Sequence, residues 1–351
     1  MPCSTGSILQ EFGPLHKVAI VRASRMGDFI CATPAVRALR TALPDAHITF
    51  IGLPLVRALV ERSPYLNRFV EFPGFPGMAE QFFNPRRIVR FFERMQAEGF
   101  DLAIQLHGSG VYSNVFALML GARHTVGFVR PGEPKGRLDA AADFPERAHE
   151  VLRWLKLARF LGAPDMGVHT EYPLWPADHT AAEELLAGLK RPLIGLHPGA
   201  RDQSKIWPLH NFIEVGQELW ARFGGTLVVL GSAHERQIAC AVAQKLGPGR
   251  RCAVLAGRTH PGSLGAVIAR LDLLIGNDSA PAHIAYALGT PSVTIFIDTD
   301  PAQWGPPVAG PHRVVGKGNG EPVMVDAVLA RAEAVLRQGR AEAHCDSTDG
   351  G

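Results

Sequence analysis

One stretch, LDLLIGNDSAPAHIAYALGTPSVTIF at residues 271–296, constrains the fold more than any other. An apolar run broken only by Asp272 stops at Gly276-Asn277, polar residues follow, and apolar residues then recur at helical spacing from Pro281 to Leu288. That order predicts a strand, a tight turn and the N-terminus of a helix. Asp278 or Ser279 can cap the helix, Pro281 suits its first turn, and Gly289 closes it before Pro291 opens another apolar strand. Such a βαβ unit places backbone N–H groups, at the positive end of the helix dipole, along the carboxyl edge of a parallel sheet, where these folds hold phosphate. Every α/β protein has several such turns and most bind nothing. Asp278, Ser279 and His283 fall within six residues, and that density makes this turn a candidate for an anionic ligand.

The same alternation runs along the chain. Apolar runs at 17–24, 47–52, 68–72, 101–106 and 124–128 are separated by helical patterns at 34–43, 55–63 and 85–99, the signature of a parallel, doubly wound sheet. A helical pattern at 146–161 leads into GAPDMGVHTEYPLWPADHT, rich in Pro and Gly and without a period, where a domain boundary is expected. A second alternation begins at Arg191 and continues to the opening stretch. Two Rossmann-like α/β domains are therefore predicted, residues 1–172 and 173–323. A helix at 324–338 would cross back over the first domain, a polar tail would occupy 339–351, and residues 1–15, without a period, would lead in loosely.

Composition narrows the function classes. The 351 residues suffice for two domains of ordinary size, and a net charge of +3 is too small to imply nucleic acid. Five scattered cysteines with no Cys-x-x-Cys pair suggest neither a disulfide framework nor a zinc site. The first residues lack a secretory signal's basic region and apolar core, and no apolar run approaches the ~18 residues of a membrane span. The expected location is the cytoplasm, with peripheral contact at the inner membrane face as an extension.

Three further segments could carry chemistry. The loop GARDQSKIWP follows the strand LIGLHPG and supplies Arg201, able to clamp phosphate with paired hydrogen bonds, and Lys205, a point charge for a departing diphosphate. The segment GSAHERQIA puts Glu235 near a helix start, where a carboxylate can accept ribose hydroxyls, although the helix dipole favours glutamate there in any case. In the turn Met26-Gly27-Asp28-Phe29, Asp28 could act as a general base or serve as an ordinary helix cap. The helix RRIVRFFERM, with Arg86, Arg87, Arg90 and Arg94, could meet a phosphorylated acceptor or an anionic membrane, or simply bury its aromatics and solvate its arginines. No phosphate-binding G-x-x-x-x-G-K-[ST] loop or G-x-S-x-G is present. The G-x-G-x-G at 316–320 does not open a helix, and His234-Glu235 lacks the second histidine of a zinc peptidase.

With VRASRMGDFICATPAVRALR, DLAIQLHGSG, LHPGARDQSKIWP, GSAHERQIA, IGNDSAPAHIAYALGTPSVTIF and TDPAQWGP in order, the chain resembles glycosyltransferase family 9, the ADP-heptose:lipopolysaccharide heptosyltransferases and their relatives. The resemblance implies a GT-B architecture, two Rossmann-like domains facing across a cleft, and an inverting transfer without metal or cofactor. It also implies a nucleotide-sugar donor and a glycolipid or saccharide acceptor. It makes Asp28 the base and gives Lys205 the diphosphate, with Gly199, Ala200, Arg201, Glu235, Asp278, Ser279, Ala280 and His283 around the donor. Arg25, Gly27 and His107 would lie on the acceptor side. The resemblance puts Thr299-Asp300-Pro301 on a recurrent family segment, which accounts for Asp298-Thr299-Asp300, otherwise similar to a metal-holding D-x-D. Departures from the family pattern are Gly199-Ala200 before the phosphate-loop arginine, Ser279-Ala280-Pro281 after the turn, and Gln105 where an Asp is common. The alternatives are another sugar or acceptor, a nucleotide-sugar epimerase of the same architecture, or a non-catalytic sugar-binding relative. A nicotinamide-dependent oxidoreductase is opposed by the missing G-x-G-x-x-G after the first strand.

Overall fold

Strand β1 (Lys17–Arg22) is buried at every residue after the first, as expected of a strand covered on both faces. It belongs to the first of two units, Met1–Glu171 and Tyr172–Gly351, into which this computed structural model divides; residues 7–78, 81–247 and 252–346 are described. In chain order the first unit contains α1 (Ile8–Glu11), β1, α2 (Met26–Ala42), β2 (His47–Gly52), α3 (Arg57–Arg62), β3 (Arg68–Glu71), α4 (Pro85–Glu98), β4 (Leu102–Gln105), α5 (Ser113–Met119), β5 (His124–Val129), β6 (Ala140–Asp143) and α6 (Glu150–Leu161). The second contains α7 (Pro176–Leu186), β7 (Leu193–His197), α8 (Leu209–Phe223), β8 (Thr226–Val229), α9 (Arg236–Leu246), β9 (Cys252–Val254), α10 (Pro261–Ile268), β10 (Leu273–Asn277), α11 (Ala280–Leu288), β11 (Ser292–Ile295), α12 (Pro301–Trp304), β12 (His312–Val315) and α13 (Val325–Asp346).

Each unit is a six-stranded parallel sheet. The orders are β3-β2-β1-β4-β5-β6 and β12-β11-β10-β7-β8-β9, so the direction of winding reverses at β1/β4 in one sheet and at β7/β10 in the other. Parallel doubly wound sheets bind ligands in the crevice at the carboxyl ends of such a switch point. The two switch points are secured in the same way at their opposite ends. Asp101, just before β4, accepts hydrogen bonds from the amides of His16 (2.8 Å) and Lys17 (2.9 Å). Asp272, just before β10, accepts from the Leu193 amide at 2.6 Å and pairs with Arg191. The aspartate that breaks the apolar run in the sequence thus pins the first strand of its sheet.

Helix α2 begins at Met26, earlier than the pattern at 34–43 predicted, and carries Pro34 inside it. Proline cannot donate to the Ile30 carbonyl, and the Thr33 hydroxyl takes that acceptor instead at 2.7 Å. The loose lead-in expected before the first strand contains the short helix α1, capped reciprocally by Ser7 and Gln10. Helix α13 packs within the second unit. Its Val328, Leu329, Ala332, Val335 and Leu336 join the core of the second unit with Trp207, Phe212 and Ile295. It also continues past the expected end at 338 to Asp346, which removes most of the anticipated tail; residues 347–351 lie outside the described residues. No described helix is long and apolar enough to cross a membrane.

Candidate active site

In the second unit the strand-end loops at β7 and β10 converge on Asp278. Its carboxylate is buried, with Lys205 Nζ at 2.9 Å and the Thr299 hydroxyl donating at 2.7 Å to one oxygen, and His283 Nε2 3.5 Å from the other. Burial alone would raise the acid's pKa. The hydrogen bond and charge of His283, the Lys205 ammonium and the Thr299 hydroxyl outweigh it and hold the pKa at about 2. Asp278 is therefore an anion at neutral pH, and an anion has no direct use against a diphosphate. Its geometry makes it the anchor that aims Lys205, whose ammonium also lies 5.7 Å from the centre of the Trp304 ring.

Ser279 is the N-cap residue of α11, Pro281 lies in its first turn, and Gly289 ends it in a left-handed conformation (φ 69°), as the sequence predicts. The Ser279 side chain makes no cap hydrogen bond and stands 3.2 Å from His197 Nδ1 instead. The first-turn amides, those of Ser279 and Ala280 among them, have no carbonyl within the helix to pair with, and they lie at the positive end of its dipole. Asn277, fully buried at the end of β10, closes the floor: its amide oxygen accepts from the Trp207 amide (3.0 Å) and its nitrogen donates to the Pro198 (3.1 Å) and Gly199 (3.2 Å) carbonyls. The loop that carries Lys205 is thereby tied to the turn that carries Asp278.

Glu235 caps the far side of the same crevice, just before α9. One oxygen accepts from the Ser232 amide at 2.7 Å and the other lies 3.9 Å from His197 Nε2. Burial pushes the His197 imidazole below its ordinary pKa, against the pull of the carboxylate. Gly199, a departure from the family pattern, has a physical reason: a Cβ there would sit 1.8 Å from Glu235 Oε1. Arg201 stands exposed, with no ion pair among the described residues, and Ala200 is half-buried beside it.

In the first unit Asp28 is the third residue of α2. Its side chain accepts from the Arg25 amide at 3.2 Å, so the capping role open to it in sequence is real, and its carboxylate remains part exposed. Behind it lies Arg22, buried at the end of an otherwise apolar strand and stacked 3.9 Å over the Trp154 ring. The Arg22 guanidinium donates to the Asp28 carbonyl (2.9 Å) and the Leu106 carbonyl (2.8 Å), joining the start of α2 to the segment that follows β4. Gly27 lies in the first turn of α2, and His107 follows β4 with its carbonyl receiving the Ser113 hydroxyl at 2.6 Å. Gln105 also donates to that carbonyl while accepting from the Phe128 amide at 3.1 Å. An aspartate could not do both, which accounts for the amide here.

The model of glycosyltransferase family 9 (heptosyltransferase) matches residues 88–324. The chain belongs to glycosyltransferase family 9. This family-9 chain is a glycosyltransferase of GT-B fold. It is 26% identical over 313 residues to lipopolysaccharide heptosyltransferase 2 of Salmonella typhimurium, covering 85% of this chain and 87% of that protein. Among solved structures it is similar to a family 9 glycosyl transferase from Veillonella parvula (TM-score 0.77, 20% identity, 92% and 97% of the two chains). It is also similar to the E. coli ADP-heptose lipopolysaccharide heptosyltransferase II (TM-score 0.75, 23% identity, 92% and 99%).

The predicted donor residues Lys205, Asp278, Ser279, Ala280 and His283 come together at the second switch point, with Glu235 and Gly199 on its other side. Sequence reasoning passed over His197, Asn277, Thr299, Trp304 and Arg22. Thr299 and Trp304 sat inside a motif that had been noted, and Arg22 was legible as a charge ending a buried strand. His197 and Asn277 gave no local signal, because their roles depend on loops about 80 residues apart in sequence.

Proposed function

We propose that this glycosyltransferase moves heptose from ADP-heptose to a hydroxyl of a lipopolysaccharide core acceptor, with inversion and without an essential metal, at the cytoplasmic side of the inner membrane. The observation that carries the donor half is Lys205, held by buried, ionised Asp278 beside the N-terminus of α11. The names of the Salmonella relative and of the E. coli structure support the choice of sugar and acceptor. In this reading Glu235 receives the ribose hydroxyls, and Lys205 with the first-turn amides of α11 stabilises the diphosphate as it departs. Asp28 takes the proton of the acceptor hydroxyl as that oxygen attacks the anomeric carbon, and ADP leaves from the opposite face of the sugar. Arg25, Gly27 and His107 surround the acceptor.

The test begins with titration of ADP, UDP, GDP and dTDP into the protein in the presence of a chelator, then into Lys205→Ala. ADP should be preferred, and the variant should bind it about tenfold or more weakly, as expected for removal of a charge-assisted contact. Turnover of ADP-heptose with core acceptor should survive chelation and yield the inverted anomer. Preference for another nucleotide would discard heptose as the sugar, and sugar conversion without acceptor would make the protein an epimerase.

A further inference from the structure

The arginine-rich helix singled out in sequence has no part in the donor or acceptor chemistry above. Its core side is settled: Ile88, Phe91, Phe92 and Met95 pack with Phe116 of α5 against the sheet of the first unit. Its outer side is unusual. Arg86 and Arg90 are exposed and form no ion pair among the described residues, whereas Arg87 on the flank is paired with Glu71. Val89, between the two arginines, is 57% exposed, and Phe82 and Phe83, immediately before the helix, are 97% and 51% exposed.

Helix α5 lies alongside, with Gln96 of α4 donating to the Met119 carbonyl at 3.0 Å. Val89 is seven residues before Gln96 and so lies on that same side of α4. Tyr112, Val115 and Met119 recur at helical spacing and all three are exposed, an apolar stripe along α5. Two glycines before the helix pack closely against these features. Gly74 has no Cβ because the Phe82 carbonyl would lie 2.4 Å from it, and a Cβ on Gly77 would lie 2.3 Å from the Tyr112 ring. The backbone of Phe82 is thus packed against Gly74 while its ring stays exposed.

Isolated exposed apolar side chains need no explanation, but a run of them edged by arginines that have no ion pair among the described residues has the chemistry of a membrane-interface element: aromatic and aliphatic tips for the acyl boundary, guanidinium groups for lipid phosphates. We propose that the outer face of α4 and α5, with Phe82 and Phe83 at its edge, docks on an anionic phospholipid surface. Charge selects this occupant over an apolar protein partner, because Arg86 and Arg90 would be desolvated without counter-charges in a purely apolar interface. Glu93, also on this side of α4, is the group whose removal should strengthen the attachment. The inference goes beyond the catalytic reading and does not depend on it, since docking needs no donor.

The test is co-sedimentation of the full chain with unilamellar vesicles of phosphatidylcholine alone or mixed with phosphatidylglycerol. Binding should need the anionic lipid and weaken with salt. Arg86→Gln/Arg90→Gln and Phe82→Ser/Phe83→Ser should each weaken it by about tenfold, and Glu93→Gln should tighten it. Unchanged ADP affinity and unchanged turnover of a deacylated, soluble acceptor in all three variants would show that they fold and that the surface acts apart from the reaction. Equal binding to both lipids, or variants that bind like the wild type, would overturn the proposal. A concentration-dependent dimer lost in Val115→Asp would assign the face to a second copy of the chain instead.

Discussion

Asp278 and Asp28 are both carboxylates at the start of a helix, and their surroundings give them different work. Asp278 is buried and its oxygens are occupied by Lys205, Thr299 and His283, which leaves it positioning a cation. Asp28 uses one oxygen to cap α2 and keeps part of its surface open to whatever occupies the crevice. Asp28→Ala should abolish turnover while ADP affinity, measured calorimetrically, stays within about twofold; normal turnover would reduce Asp28 to its cap, worth about 1 kcal/mol. Gly199→Ala should act through Glu235, whose carboxylate must move to admit the methyl group. We expect ADP affinity to fall by about tenfold with little change in melting temperature, and affinity for inorganic diphosphate, which has no ribose, to stay the same. Unchanged ADP affinity would remove Glu235 from the donor site. Candidate residues were readable where a charged or polar group interrupts a pattern, as at Asp28, Lys205 and Asp278. Their partners were not, because whether Asp278 faces a phosphate or a lysine is decided by the loop that Asn277 fixes from across the switch point.

At the level of elements, the strands that form the middle of each sheet were legible because both faces are buried and the apolar runs are unbroken. Two of the edge strands were not. Strand β6 is AAAD, too poor in branched residues to announce itself, and β12 is four residues with a histidine and an arginine. Helix α7 begins inside the Pro- and Gly-rich stretch read as the domain boundary, starting on Pro176, with the Trp175 amide donating to the Asp178 carboxylate at 2.8 Å. Helix α5 was missed because its apolar residues face both the core and solvent. The repeated aspartate before the fourth strand gives a sharper expectation. Asp272→Ala leaves the Leu193 amide without its acceptor and Arg191 without its partner, and should destabilise the second unit by about 1–3 kcal/mol in urea. Asp101→Ala should do the same to the first, and a loss confined to neither unit would show that the pins are not structural.

For the molecule as a whole, stability should depend on pH through His312. It lies on β12 beside the Tyr286 ring, with the Ser292 hydroxyl at 2.9 Å from its Nδ1. Burial first, and the adjacent Arg313 charge second, lower its pKa from 6.5 to about 4. Between those values the unfolded chain binds a proton that the folded chain refuses, so stability should rise with pH across the window from about 4 to 6.5 and be flat in this respect above it. The contribution is on the order of 3 kcal/mol, and His312→Asn should flatten the slope in denaturant titrations at successive pH values. Asp278 acts in the opposite part of the scale, its stabilising charge being lost only as pH falls from about 4 toward 2. The two sheets with one strand order have a consequence for how such transferases diversify. Every group assigned here to the nucleotide, from Gly199 to His283, comes from one uninterrupted length of chain that completes its own core with α13. Exchange of that length between relatives would carry the choice of activated sugar with it and leave the choice of acceptor behind, so the two specificities can be inherited separately.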